Sequence, residues 1–216
     1  MPGVRRDGQK RRDALLDAAL VCFGERGVLG TGIEEIRRAA GASPSSVYHL
    51  FAGRSAIVLA LLVRTFERLF GHLTARVGKA RSARGAVTSL VDAHLAWIAA
   101  HRLEGRFMYE AMSLELEPEV QEPLAARKAE LLAPLVADMT RFVEQGSLPP
   151  WPPLVLDVVL LGPSHEGCRR WLAGAPLSMK WMRKIFPDLA WRSVSLSPNA
   201  LGAPRTPTRT RTRTRA

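Results

Sequence analysis

The sequence predicts an all-α fold, and three features of its 216 residues support that prediction. Apolar residues recur at spacings of three and four along most of the chain, few segments alternate in the manner of strands, and Gly, Pro and charged clusters separate the periodic segments. Residues 154–162, LVLDVVLLG, have the β-branched content of a buried strand, but Asp157 and the HEGCRRWL that follows favour a continuing helix. We therefore expect helices throughout the folded part of the chain.

The first helix is predicted within DALLDAALVCFGERG, residues 13–27. Apolar side chains recur on one face of this helix, which comprises Leu15, Ala18, Ala19, Cys22 and Phe23. Gly27 is suited to end the helix. Residues 1–12 hold five basic side chains against Asp7, and residues 1–10 are predicted to form a basic, disordered arm.

The second helix is predicted from the start of TGIEEIRRAAGA, residues 31–42. Thr31 and Glu34 have the spacing of a capping box, in which each side chain pairs a free backbone N–H of the first turn. Ile33, Ile36 and Ala40 then share one face. Gly41 permits the left-handed turn that ends the helix.

A third, very short helix follows at once, because Ser43 is suited to cap it and Pro44 to occupy its first position. Val47, Leu50 and Phe51 are predicted to point inward. This leaves a small, mostly polar outward surface suited to a DNA groove, made of Pro44, Ser45, Ser46, Tyr48 and His49. The two helices and their Gly turn are typical of a helix-turn-helix, although an ordinary αα-hairpin has the same pattern.

The segment from Arg11 to about Leu62 resembles the DNA-binding domain of the tetracycline-repressor (TetR) family of bacterial transcriptional regulators in the order and spacing of these three helices. That resemblance covers about a quarter of the chain. It implies that Thr31 contacts a phosphate, that Ser45, Ser46, Tyr48 and His49 lie in or beside the major groove, and that Arg54 completes the contact with the backbone. Pro44 is suited to apolar contact with a thymine methyl.

The outward surface lacks the Arg, Asn and Gln that pair bidentately with guanine or adenine, so modest discrimination per base is expected, with part of the specificity coming from DNA shape. Double-stranded DNA is the predicted partner, and the net charge of +11 favours a polyanion. The basic arm either follows phosphates or the minor groove, or is a solvated leader. The Thr-Arg repeat within residues 196–216 is predicted to be a disordered basic tail, incidental or a DNA tether.

The domain boundaries that follow are 11–55 for the helix-turn-helix DNA-binding domain and 56–195 for a helical regulatory and dimerisation domain. A fourth helix, with Leu59, Leu62, Val63, Phe66, Leu69 and Phe70 at helical spacing, is predicted to link the two. Five more helices are predicted over 85–101, 103–116, 118–145, 153–173 and 177–191.

The TetR resemblance implies a homodimer formed by the last two helices and a small-molecule effector that releases a repressor from a palindromic operator. Candidate interface residues that either meet a partner helix or pack within the chain are Leu156, Val159, Leu160, Gly162 and Pro163. Candidate ligand-binding residues, which are equally typical of an ordinary core, are Trp97, Met108, Met112, Met139, Phe142 and His165. His94 and Arg106 are further candidates to orient a polar ligand group.

Other function classes have little support in the sequence. No HExxH, Gly-rich phosphate loop or GxSxG elbow occurs, so we expect no catalytic residue, metal site or cofactor. The alternatives left open are a non-specific polyanion-binding helical protein and, with less support, an all-α enzyme. With no signal peptide, no apolar run of membrane-spanning length and two lone cysteines, Cys22 and Cys168, the chain is expected to be cytoplasmic and without a membrane partner.

Overall fold

The computed structural model describes residues 2–114 and 118–195, and over these residues the chain is all-α, as the sequence predicts. The helices are α1 (Pro2–Arg26), α2 (Ile33–Ala39), α3 (Pro44–Leu50), α4 (Arg54–Val77), α5 (Ala83–Ala100), α6 (Arg102–Ser113), α7 (Pro118–Glu144), α8 (Pro153–Leu172) and α9 (Met179–Ser195). We call α1–α3 the head and α5–α9 the body. The predicted tail at 196–216 lies outside the described residues.

Helix α1 begins earlier than the sequence suggests. It is helical from Pro2, so residues 2–10 continue the helix instead of forming the disordered arm predicted for 1–10. Its apolar face packs into the core through Leu15, Leu16, Ala19 and Phe23, all almost fully buried. Gly27, with a φ of 77°, ends it in the left-handed region that a side chain would strain.

The head is closed by a compact hairpin. Ile36 of α2 and Val47 of α3 are fully buried, so each short helix is held by one central apolar anchor. Between the two helices Gly41 takes a φ of 61°, as predicted, and the Ala42 N–H donates to the Arg37 carbonyl. The hairpin thereby fixes the direction in which α3 presents its outer face.

Helix α4 joins the head to the body. Its buried side chains run along its length from Ile57 to Val77, and it packs against α7, α5 and α1. In the body, α5 packs against α9 and α8, and α8 packs against α9. Gly167 makes close α8–α9 approach possible, since a Cβ there would lie 2.8 Å from the Met182 sulfur.

None of the described helices is by itself long and apolar enough to cross a bilayer. Helices α3 and α4 taken together, with a bend of 60° at their junction, have the length and composition of a span.

Candidate functional site

The outer face of α3 is largely exposed. The Ser46 N–H donates to the Ser43 hydroxyl at 3.3 Å, which caps the helix as the sequence predicts, and Pro44 occupies its first turn. Pro44, Ser45, Tyr48 and His49 are exposed, and Ser46 is half-buried. Tyr48 is 55% exposed, which is unusual for a side chain of its size. The face therefore offers hydroxyls, a phenol and an imidazole together on one short helix.

Thr31 does not lie where the sequence places it. Its side chain is 1% exposed, and its hydroxyl lies 2.8 Å from the Gly27 carbonyl and 3.2 Å from the Cys22 carbonyl. The predicted Thr31–Glu34 capping box is wrong: α2 is capped at Gly32, whose N–H donates to Glu35 at 2.9 Å. The hydroxyl donates to backbone carbonyls at and just after the last turn of α1 and is buried there, so Thr31 is not available to a phosphate in this conformation.

Arg54 lies at the first position of α4 and is half-buried. Its guanidinium lies 3.4 Å from the Val28 carbonyl and 3.3 Å from the Leu29 carbonyl, both long for hydrogen bonds. Arg54 therefore contacts the loop between α1 and α2, and this contact is separate from the phosphate contact that the sequence predicts.

The same loop is held from the body by Glu110 of α6. The Val28 N–H donates to Glu110 Oε1 at 2.6 Å, and a Cβ at Gly27 would lie 2.8 Å from the same oxygen. Beside it, the rings of Phe23 in α1 and Phe107 in α6 stack with centroids 5.4 Å apart. Residues 27–31, which we call the junction loop, are thus bound by both α4 and α6. Sequence reasoning missed Glu110, because its partner lies 82 residues away and no local pattern marks it.

The body contains a cavity of about 540 Å³ that differs from the predicted one. Its wall is mostly apolar and comes from α5, α7, the 150–151 turn and α8; it includes Leu90, Leu132, Val136, Met139, Trp151 and Leu161, with Lys128, Thr140 and Asp157 as its polar members. Of the six predicted ligand residues Met139 borders it. The other five lie elsewhere: Trp97, Met108 and Phe142 are buried core, Met112 is 45% exposed, and His165 belongs to the cluster described next.

A polar cluster lies within the body where α5, α6 and α8 meet. Tyr109 Oη lies 3.2 Å from His94 Nε2 and 3.0 Å from His165 Nδ1. His94 is fully buried, and burial holds its pKa well below the ordinary value. Burial also lowers the pKa of His165, raises that of Tyr109, and raises the pKa of the nearby free Cys168 thiol to about 12. At neutral pH the cluster is therefore uncharged.

Two atoms of this region are buried without a hydrogen-bond partner in the protein. They are Nδ1 of His94 and Oγ of Ser164. Buried polar groups are paired in the great majority of cases, and each exception calls for an explanation. Arg106, the other candidate for orienting a ligand, is exposed on α6 and lies outside this cluster.

The outer surface of α8 and α9 carries large apolar side chains. Leu154 is 73% exposed and Val158 is 59% exposed, and Val155, Trp181 and Leu189 are also exposed. Leu154, Val155 and Val158 share one face of α8 by their spacing. Of the interface residues predicted from sequence, Leu156 and Leu160 are instead buried within the chain, Val159 and Gly162 are half-buried, and Pro163 is exposed.

Among the described residues, no three His, Cys, Asp or Glu side chains are grouped so as to hold a metal ion.

Comparison with known sequences gives a family match that runs from α1 into the first turns of α4. Residues 15–61 match the model for the tetR family of bacterial regulatory proteins. The chain is 30% identical over 91 residues to the HTH-type transcriptional regulator BetI of Brucella anthropi, covering 42% of this chain and 46% of that one. The BetI of Rhizobium meliloti is 33% identical over 81 residues, 38% of this chain and 40% of that one. The chain thus matches less than half the length of these curated relatives.

Solved structures are similar over most of the chain. A TetR family transcription regulator from Marinobacter aquaeolei VT8 has a TM-score of 0.71 at 19% identity, covering 88% of this chain and 98% of that one. FadR from Bacillus subtilis, solved in complex with stearoyl-CoA, has a TM-score of 0.69 at 13% identity, covering 84% and 98%. At these identities the likeness establishes a shared fold.

Proposed function

Because this chain belongs to the TetR family of bacterial regulatory proteins, we propose that it is a homodimeric, sequence-specific DNA-binding repressor, released from a palindromic operator by a small-molecule effector. The observation that carries the proposal is the outer face of α3. An exposed Tyr48 and His49 on a helix fixed by a buried Val47 are suited to a DNA groove.

The contacts proposed to DNA follow from the geometry of the head. Ser45, Tyr48 and His49 would lie in or beside the major groove, with Pro44 against a thymine methyl and Ser46 at the edge. Arg54 would contact a phosphate from its position beside the junction loop. Thr31 would act indirectly, by closing the end of α1 and so fixing where α2 begins.

Dimerisation is supported by the exposed apolar face of α8 and α9. Leu154 and Val158 on α8 and Leu189 on α9 would otherwise leave apolar area in water, and patches of this kind mark protein contacts. A two-fold pairing through this face would hold two heads at a fixed separation. Recognition of two half-sites about one DNA turn apart requires such a spacing, roughly 34–36 Å.

Release by a ligand is supported by the cavity and by the contact between α6 and the head. A mostly apolar cavity of about 540 Å³ has the size of small-molecule sites. One structural neighbour, the FadR of Bacillus subtilis, was solved with stearoyl-CoA. Glu110 gives α6 a direct hold on the junction loop, so a ligand that displaces α6 would change how the head is oriented.

The test is selection of binding sites from random duplex DNA by the full-length protein at several salt concentrations. The proposal expects one enriched inverted repeat, which the Tyr48→Ala variant binds more weakly than the wild type does. The control is Met112→Ala, which changes an exposed side chain of the body and should leave the enriched site unchanged. Steeply salt-dependent binding with no enriched sequence would instead indicate a general polyanion-binding protein, for which the net charge of +11 suffices.

A further inference from the structure

The polar cluster lies directly beyond the cavity along two helices. On α5, His94 comes one turn after Leu90, and on α8, Ser164 and His165 come one turn after Leu160 and Leu161. Leu90, Leu160 and Leu161 all line the cavity. Residues four apart on a helix share a face, so the two unpartnered atoms belong to side chains in the layer next to the cavity wall.

Charged side chains of the cavity wall also act on the cluster. Asp157 and Lys128 line the cavity, and their charges act in opposite directions on the pKa of His165, after the larger effect of burial. Lys128 also lies over the Phe66 ring, 5.4 Å from its centroid. With one positive and one negative side chain, the cavity wall has no net charge with which to select an ion.

From this arrangement we infer that the His94–Tyr109–His165 cluster, with Ser164, is the polar end of the ligand site, and that it selects an apolar molecule carrying one neutral hydrogen-bonding group such as a hydroxyl or a carbonyl. The apolar body of the ligand occupies the cavity. Its polar group supplies the hydrogen bonds that His94 Nδ1 and Ser164 Oγ lack.

The preference for a neutral ligand group follows from the chemistry of the cluster. Its members are two imidazoles, a phenol and an aliphatic hydroxyl, each able to donate or accept a hydrogen bond in its neutral form. The Tyr109 hydroxyl has one proton for two histidine nitrogens, so His94 Nδ1 remains free as either donor or acceptor, according to the tautomer. A charged ligand group would lose its hydration here without gaining an opposite charge.

The cluster also shares helix α6 with the contact that Glu110 makes to the head. Tyr109 directly precedes Glu110, whose carboxylate accepts the Val28 N–H. A ligand group that draws Tyr109 away from either histidine therefore acts on the helix that binds the junction loop. This step rests on the proposed function, whereas ligand selection by the cluster does not.

Calorimetric titration of the full-length protein with three eight-carbon probes tests the inference: 1-octanol, 1-chlorooctane and octanoate. The ratio of the chlorooctane to the octanol dissociation constant measures the contribution of the hydroxyl. We expect His94→Leu and Ser164→Ala each to lower that ratio about fivefold to tenfold, because each removes a hydrogen-bonding group that the inference assigns to the ligand. The control, Leu132→Ala on the cavity wall, should weaken both probes and leave the ratio unchanged.

A ratio that is the same in wild type and in both cluster variants would overturn the inference, and so would absence of binding by octanol or tighter binding of octanoate than of octanol. The cluster would then be a structural element of the core. Since no DNA is present in the titration, these results are independent of the proposed function. An enriched operator with no octanol binding would leave the regulator intact and refute only the ligand class.

Discussion

The head and the body each expose a group of side chains on one helix, and the two groups differ in chemical character. On α3 the exposed set is small and polar apart from Pro44, and it lies on a helix of seven residues held by one buried valine. On α8 the exposed set is aliphatic and lies on a helix of 20 residues. The difference indicates two partners of different chemistry, a hydrated polyanion for the head and a second apolar surface for the body.

The largest effect is expected where a charge enters the apolar face of the body. Val158→Asp would bury an unpaired carboxylate in the proposed dimer interface and weaken dimerisation by about 1,000-fold. Sedimentation equilibrium measures this change as conversion from dimer to monomer. Because Val158 is 59% exposed within one chain, the melting temperature of the monomer should change little. Met112→Asp, a charge at an exposed site outside that face, should remain dimeric; dissociation of both variants would remove the distinction between the two surfaces.

The next effect concerns the head. Replacing both Tyr48 and His49 by Ala should weaken binding to the selected operator on the order of 100-fold, since each side chain supplies one contact to base or backbone. Fluorescence anisotropy with labelled duplex measures it. Non-specific binding should persist in this variant, because the basic residues of α1 are untouched. Equal loss of specific and non-specific binding would mean that Tyr48 and His49 maintain the fold of the head and do not recognise the operator sequence.

The contact between the two regions is tested at Glu110. Glu110→Ala leaves the Val28 N–H without its acceptor and should cost about 1–3 kcal/mol of stability, with faster hydrogen exchange at the Val28 amide. Glu110→Gln keeps an acceptor oxygen and should retain most of the protection. If the Val28 amide exchanges at the same rate in wild type and Glu110→Ala, the hydrogen bond between Glu110 and the junction loop does not form in solution.

The smallest effect is the dependence of stability on pH that arises in the body. The pKa of His94 is near 6.5 in the unfolded chain and well below it when folded, so between these values the unfolded chain binds a proton that the folded chain does not. Stability therefore falls as the pH drops below about 6.5, by up to ~1.4 kcal/mol per pH unit. Denaturant titrations of wild type and His94→Gln from pH 7.5 to 5 measure it.

The pKa of His165 is lowered too, and the groups around the pair are Tyr109, Cys168, Asp157 and Lys128. Its contribution should remain in His94→Gln and disappear in a double variant that also carries His165→Gln. An unchanged pH slope in the single variant would contradict the buried, neutral His94.

What could be predicted from the sequence differs between the two regions for a physical reason. The hairpin of the head depends on local rules, such as Ser43 and Pro44 at a helix start and Gly41 with a positive φ, and these are confirmed. Thr31 was misplaced because two consecutive positions, Thr31 and Gly32, are both suited to start α2. The carbonyls at the end of α1, which decide between them, belong to another helix.

In the body the helices were predicted closely but the cavity was not. Trp97, Met108 and Phe142 have the chemistry of ligand-lining residues, yet the packing of α5, α6 and α7 turns them into the core. Leu132, Val136 and Leu161 line the cavity and have no distinguishing pattern in the sequence. Which face of a helix borders empty space is set by the relative placement of several helices, and periodicity along one helix does not contain that information.

In the proposed dimer, the α3 faces of two heads contact DNA at a separation that the body fixes. The most direct measurement compares binding of the full-length protein to the selected operator and to the same operator with five base pairs inserted between its half-sites. The insertion rotates one half-site relative to the other by about half a turn and leaves the base sequence of each half-site unchanged. A dimer whose body fixes the separation of the heads should lose affinity on the order of 100-fold or more. Equal affinity for the two duplexes would contradict it and show that the heads bind DNA independently of the body.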